Sequence, residues 1–373
     1  SLLACRVIPF NKNPGLRPFV VGEILRRIIG KAVISVNGDS ITKRVGSLQV
    51  CAGQEAGCEA AVHAMRDIFN EQDTQAILLV DAANAFNSVN RKLFLKNIKI
   101  VCPEISTFVS NCYSLPSRLF VIGGVEIISS EGTTQGDPIA MAVYATAIIP
   151  LILMVLEITD KLPNSITKCE AYADDISAGG TLVNLLEWWN TICKLGPFFG
   201  YYPEESKSWL VVKPEFEEIA NIIFENSKIK ITSEGKKHLG AAVGSESFKK
   251  EYVSKKLEKL ISEIRILVQI ARVEPQAAYS AFVAGFRHKL TYLMRTIPNI
   301  SSLLTKLDDI VQQEFIPAIT GGNLINDKER KLLSLPVKYG GLALPIFAEI
   351  SDTEYSNSKL ISQHLCDNIK RQH

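Results

Sequence analysis

The sequence predicts an α+β fold with more than one structural unit, and three observations carry that prediction. Short apolar runs alternate with amphipathic stretches up to about residue 245. Three hairpin patterns, residues 5–21, 118–130 and 169–177, mark antiparallel strands. Beyond Lys249 helical spacing runs almost unbroken. With 373 residues, 47% of them apolar and 21% charged, the chain has material for a sizeable core.

In chain order, CRVIPFNKNPGLRPFVV (5–21) reads as a hairpin around Pro14-Gly15, the pair a type II turn favours. GEILRRIIGKAVISV and EAGCEAAVHAMRDIF have helical spacing. AILLV (76–80) is wholly apolar and too brief for a helix, so it is a central strand ending at Asp81. Residues 91–101 are helical, and residues 118–130 form a hairpin turning at Gly123-Gly124. A buried helix follows Pro138, then the hairpin CEAYADDIS, a helix from Thr181 to Leu195, and strands at 210–212 and 229–231. From Val253 to Ala271 one apolar stripe recurs at three- and four-residue steps.

Residues 138–156 are uncharged over about the minimum length that crosses a bilayer. Pro150, the acidic flanks Asp137 and Glu157, and the lack of a second such segment favour a core helix instead. The eight cysteines are scattered without metal-ligand spacing and read as reduced thiols. No signal peptide is evident, so an intracellular, cytoplasmic or nuclear setting is expected, and the start at Ser1 reads as a cut from a longer polypeptide. The net charge of +2 conceals a sorting by region. Residues 1–50 carry eight Lys/Arg against two acids, residues 249–295 ten against four, and residues 204–234 seven Glu against four Lys. Two basic flanks suit a cleft that holds a polyanion, although solvated helix faces give the same composition.

Asp81 ends a buried strand, and Asp174 and Asp175 sit at a hairpin tip. If those tips are neighbours, three carboxylates converge. Two like charges about 4 Å apart repel by roughly 4 kcal/mol at an effective dielectric near 20, so such a cluster calls for a cation. Ligands that are all oxygen select a hard ion and argue for Mg²⁺. An isolated Asp-Asp pair at a turn is common, and it is the order of the surrounding segments that gives this one weight.

That order resembles the reverse transcriptases, most nearly those of non-LTR retrotransposons and related retroelements, over about residues 5–245 and more weakly to about 345. LLVDAANAFNSVNRKLF resembles the first palm motif, EGTTQGDPIAMAVYA the next, AYADDIS the Tyr-x-Asp-Asp signature and FGYYPEESKSWLV the lysine motif. KHLGAAVG resembles the primer-gripping turn, and KNPGLRPF the fingers segment that clasps the triphosphate. The resemblance implies a right-hand fold. Its parts are fingers over 1–75 with part of 90–130, an antiparallel-sheet palm over 76–245 and a helical thumb over 246–345, with 346–373 unassigned.

It further implies RNA-directed DNA polymerisation, with an RNA template, a DNA or RNA primer, dNTPs and two Mg²⁺ ions, Mn²⁺ being a substitute. Asp81 and Asp174 become the metal ligands, with Asp175 beside them, and Lys207 the residue near the triphosphate and departing pyrophosphate. Arg17 and, more loosely, Lys12 fall on the triphosphate; Gln135 and Gly136 lie beside the nucleotide and template; His238, Leu239 and Gly240 meet the primer. Phe86 falls under the sugar, where a ring excludes a 2′-hydroxyl. Asn87 stands where many relatives carry Asp, Ile139-Ala140 where Leu-Ser is commoner, and Gln49 receives no role because its segment lacks the family's usual arginine. A decayed retroelement protein that only binds nucleic acid, or an RNA-dependent RNA polymerase, are the alternatives. No membrane partner is expected, and protein partners are not legible.

Overall fold

The computed structural model describes residues 4–11, 15–161, 167–322 and 324–372; Lys12 and Pro14 lie outside them. The chain divides into two compact units, residues 1–233 with 364–373, and residues 234–363.

In the first unit, β1 (Cys5–Asn11) and β2 (Leu16–Gly22) form the expected hairpin, from Cys5 opposite Gly22 to Asn11 opposite Leu16. Helices α1 (Ile24–Val45) and α2 (Gly57–Asn70) lead to β3 (Ala76–Val80). The one-turn α3 (Ala85–Ser88), α4 (Arg91–Val101) and α5 (Pro103–Tyr113) follow. Sequence reading passes over α5, which starts with Pro103 at its first position, where a missing N–H costs nothing. Strands β4 (Ser117–Val121) and β5 (Glu126–Ser129) turn at Gly123 and Gly124, whose φ of 102° and 88° suit glycine. β4 pairs with β1 in parallel, giving a four-stranded sheet in the order β2-β1-β4-β5.

Helix α6 (Ala140–Thr159) is the apolar stretch, and among the described residues it is the one helix long and apolar enough to cross a membrane. Two thirds of its most apolar window is buried within the protein, which makes it a core helix. Strands β6 (Lys168–Tyr172) and β7 (Asp175–Gly180), helix α7 (Leu182–Phe199), strand β8 (Trp209–Val212), helix α8 (Glu217–Ile223) and strand β9 (Lys230–Thr232) complete the sheet β6-β7-β3-β8-β9. The expectation of a purely antiparallel sheet needs correction. β9 lies parallel to β8, because the intervening segment carries α8 and makes a crossover rather than a tight turn.

β3 is the middle strand, hydrogen-bonded to β7 on one side and β8 on the other. It is buried on both faces, as its unbroken apolar run requires. Ala76, Leu78 and Val80 join one core with Trp188, Trp189 and Ile192 of α7 and the inner side of α6. On the other face, Ile77 and Ile68 of α2 close over Gly179, where a Cβ would lie 2.5 Å from Ile68 Cγ2. The segment left unassigned after residue 346 is a helix, Phe347–Arg371, whose last turns belong to the first unit. There the Cys366 thiol donates to the Ala60 carbonyl (3.4 Å), and Lys370 pairs with Asp67.

The second unit opens with a hairpin of β10 (Gly235–His238) and β11 (Ala241–Gly244) and is otherwise helical. Its long helix α9 (Glu246–Ala271) is capped by the Ser245 hydroxyl and buries Val253, Leu257, Leu260, Ile264, Val268 and Ala271, the stripe read from the sequence except for Leu267, which is only partly buried.

The basic N-terminal flank also needs correction at Arg26. Its side chain is buried, forms an ion pair with the equally buried Asp137, and lies 5.2 Å from the centre of the Tyr113 ring. Tyr113 donates a second hydrogen bond to Asp137 (3.0 Å) and accepts one from the Thr134 amide (3.3 Å). Arg26 therefore ties α1 to the Gly-Asp-Pro turn and does not face a polyanion. Replacing it leaves Asp137 buried and uncompensated, so Arg26→Ala is expected to lower unfolding free energy by about 3 kcal/mol in urea denaturation.

Candidate active site

The antiparallel register of β3 and β7 runs from Ala76 opposite Gly180 to Val80 opposite Ile176. Asp81 directly follows Val80 and Asp175 directly precedes Ile176, so both lie at the same end of this strand pair. On the far side of β7, Tyr172 pairs with Asp175, so β6 and β7 are joined by the two-residue loop Ala173-Asp174. Three acidic residues from two separate stretches of chain thus stand at the same end of the sheet. Their fields converge on a common neighbour. The Tyr201 hydroxyl, fully buried, donates to the Asp174 carbonyl (3.1 Å) and is pushed well above the usual tyrosine range, first by burial and then by the charges of Asp174, Asp175 and Asp81. Burial likewise pushes the Cys51 thiol up to about 12, with Asp174 and Glu170 adding to it.

The loop is strained. Ala173 has φ of +59°, and of the two loop residues it alone is positive, as at the first position of a type II′ turn, which glycine normally fills. A non-glycine residue held there costs roughly 1–3 kcal/mol and persists only where its surroundings over-determine it. They do so here. The Gln49 carboxamide, fully buried, donates from Nε2 to the Ala173 carbonyl (3.0 Å) and accepts at Oε1 from the Ala173 amide (2.7 Å). The sequence assigns Gln49 no role, since its segment only loosely resembles a glutamine-containing motif and lacks the arginine expected there; its partner is 124 residues away.

Asp81 is anchored through its backbone. Its N–H donates to Ser208 Oγ (3.3 Å) and its carbonyl accepts from Glu204 (2.8 Å), while Ala82 bridges Pro203. The same contacts bring the short turn Glu205–Lys207 beside it. Lys207 is half exposed and lies 3.6 Å from Glu204, a surface pair of little strength that leaves the ammonium able to change partners. Phe86, on α3, stacks on Tyr144 of α6 with ring centres 4.4 Å apart and planes 22° apart. Its carbonyl accepts from the Thr133 amide (2.6 Å), which joins α3 to the segment before the Gly-Asp-Pro turn. Tyr144 is a second residue that sequence reading did not single out.

Gln135 and Gly136 lie in that turn. The Gln135 carbonyl accepts from Val20 of β2 (2.8 Å), and Gly136 has φ of +100° with no room for a side chain, since a Cβ would fall 2.3 Å from the Val20 carbonyl. Arg17, opposite Phe10 on β2, is exposed. In the second unit, Leu239 and Gly240 have φ of 46° and 86°, the type I′ pattern that joins β10 to β11. Tyr292 donates to the Leu239 carbonyl (2.6 Å), Tyr252 donates to that of Gly240 (2.7 Å), and His238 is buried.

Among the described residues no three His, Cys, Asp or Glu side chains form a set that could hold a metal ion. The donors present are nonetheless carboxylates, the chemistry a hard divalent ion takes. Mg²⁺ is commonly held by one or two carboxylates, its remaining positions filled by water and substrate phosphates.

No protein-family model and no curated protein matches the sequence. Among solved structures, telomerase from Candida albicans in complex with a TWJ fragment of telomeric RNA matches with a TM-score of 0.54 at 10% identity, over 98% of this chain and 61% of that one. An apo telomerase from Candida tropicalis, truncated from its C-terminal domain, matches over 57% of this chain and 51% of that one, at 10% identity and a TM-score of 0.44. The chain spans 61% of the length of the first telomerase, and what the two share is an α+β fold.

Proposed function

We propose that this chain is the polymerase core of an RNA-directed DNA polymerase, extending a primer 3′-hydroxyl with dNTPs on an RNA template. The observation that carries the reading is the gathering of Asp81, Asp174 and Asp175 at one end of a sheet, with Asp174 presented on a strained and doubly braced loop. The telomerase-like fold supports it, since telomerase is a reverse transcriptase.

In this reading Asp81 and Asp174 would hold Mg²⁺, with Asp175 beside them. A metal held there would supply Lewis acidity, activating the primer hydroxyl and stabilising the leaving oxygen. The other residues bind and orient. Lys207 exchanges its weak partner Glu204 for the triphosphate and supplies a proton to pyrophosphate. Arg17, with Lys12, neutralises the β- and γ-phosphates. The turn at Gln135 and Gly136 meets the nucleotide and template through backbone that only glycine allows so close to β2. The Phe86 ring, fixed by its stack on Tyr144, sits under the sugar and leaves a 2′-hydroxyl crowded and without a hydrogen-bond partner. The hairpin turn at His238, Leu239 and Gly240 contacts the primer.

Primer extension with labelled dNTPs on an RNA template tests this directly. Mg²⁺-dependent incorporation is expected from the native chain, and Asp174→Asn is expected to reduce it by on the order of 10³-fold, about 4 kcal/mol of transition-state stabilisation. A native chain that binds the primer-template without extending it would leave only nucleic-acid binding. Phe86→Ala is expected to raise ribonucleotide use relative to dNTPs by about 10- to 100-fold in the same assay. Unchanged sugar preference would remove Phe86 from the nucleotide site.

A further inference from the structure

The outer edge of β6 shows how the carboxylate loop is held. On an edge strand, alternate residues turn their N–H and C=O groups outward, where no neighbouring strand satisfies them. Here those residues are Cys169, Ala171 and, past the end of the strand, Ala173. Each is met by a different part of the chain. Gln372 donates to the Cys169 carbonyl (2.9 Å) and accepts from its amide (3.0 Å). Ala171 forms a parallel bridge, its carbonyl accepting from Val50 (2.9 Å) and its amide donating to Leu48 (2.9 Å). Ala173 is met by the Gln49 side chain, which both donates and accepts. A carboxamide has the same donor and acceptor as a peptide group, so Gln49 continues the ladder for one more step, past the point where backbone can follow.

We infer that Gln49 is the positioning residue of the carboxylate loop: by pairing with both backbone groups of Ala173 it holds that residue at positive φ and so sets where Asp174 points. The inference rests on the reading of Asp174 as a metal ligand. Substitutions at the two ends of the brace should then depend on each other. Glycine reaches positive φ without help, so Ala173→Gly makes the brace less necessary.

The test is a Mn²⁺ titration of the full chain, followed by electron paramagnetic resonance, for the native protein, Q49A, A173G, the double variant and D174N. Thermal unfolding of each metal-free protein is recorded alongside. Q49A is expected to bind Mn²⁺ about tenfold more weakly. A173G should stay within about threefold of native, and the double variant should regain at least threefold over Q49A. The Mg²⁺ concentration for half-maximal primer extension should move in the same order. If Q49A does not fold, Q49E is titrated instead. It keeps the acceptor for the Ala173 amide and loses the donor, and a Mn²⁺ affinity between those of native and D174N is expected. Q49A or Q49E that is less stable yet binds Mn²⁺ like the native protein would reduce Gln49 to a packing residue and overturn the inference. Effects of Q49A and A173G that simply add would overturn it too. D174N binding Mn²⁺ like the native protein would instead overturn the metal-site reading, which separates the two failures.

Discussion

The pairing of β3 with β7 is the constraint on which the rest of the site depends. β3 is apolar and buried, β7 is buried from Ile176 to Gly180, and their register is set by which residues fill the core on each face. A slip of one residue would turn Leu78 and Val80 away from α7 and set Ile77 in their place, which the packing around Trp188 and Ile68 forbids. Because the register cannot slip, the residues just beyond the strand ends cannot either. The acids that follow Val80 and precede Ile176 are held together by hydrophobic burial elsewhere in the sheet.

Around that fixed point the chain tolerates features that would be costly elsewhere. A non-glycine residue with positive φ sits in the loop, and a fully buried tyrosine hydroxyl faces several negative charges. Groups from distant parts of the chain hold the loop, Gln49 from the segment after α1 on Ala173 and Tyr201 from the segment after α7 on the Asp174 carbonyl. The Gly-Asp-Pro turn is supported in the same manner. Asp137 is held by Arg26 and Tyr113, and Arg91 lies 5.5 Å from the centre of the same tyrosine ring while donating to the Ser129, Glu131 and Gly132 carbonyls. Strain at the surface of a site, with buried hydrogen-bonded residues beneath it, is how a fold holds polar groups in a geometry they would not adopt unaided.

The two units use different physics. The first is a layered structure in which helices cover both faces of a mixed sheet, with α6 as a nearly all-apolar core element. The second is mainly helical, and its hairpin is secured by two tyrosine hydroxyls, Tyr252 and Tyr292, on the turn carbonyls. That hairpin combines a turn type requiring positive φ at both central residues with a Leu at the first, so the tyrosines offset a local preference just as Gln49 does at Ala173.

The sequence by itself determined the elements and their order. The strand AILLV, the hairpin around the paired aspartates, the helix at 91–101 and the apolar stripe after Lys249 all stand where composition and periodicity put them, because each is a local pattern of burial. It also made the three acids candidates, through their position at strand ends. What only the tertiary structure decided is who supports them. Arg26, read from the sequence as part of a basic flank, is a buried ion-pair partner, because the acid that recruits it lies 111 residues away. Gln49 carried only a weak signal that its neighbours did not support, Tyr144 carried none of its own, and the helix over 347–371 fell in unassigned sequence. Hydrogen bonds and ring stacks between distant segments leave no periodicity behind, since a single side chain with one partner has no repeat to read.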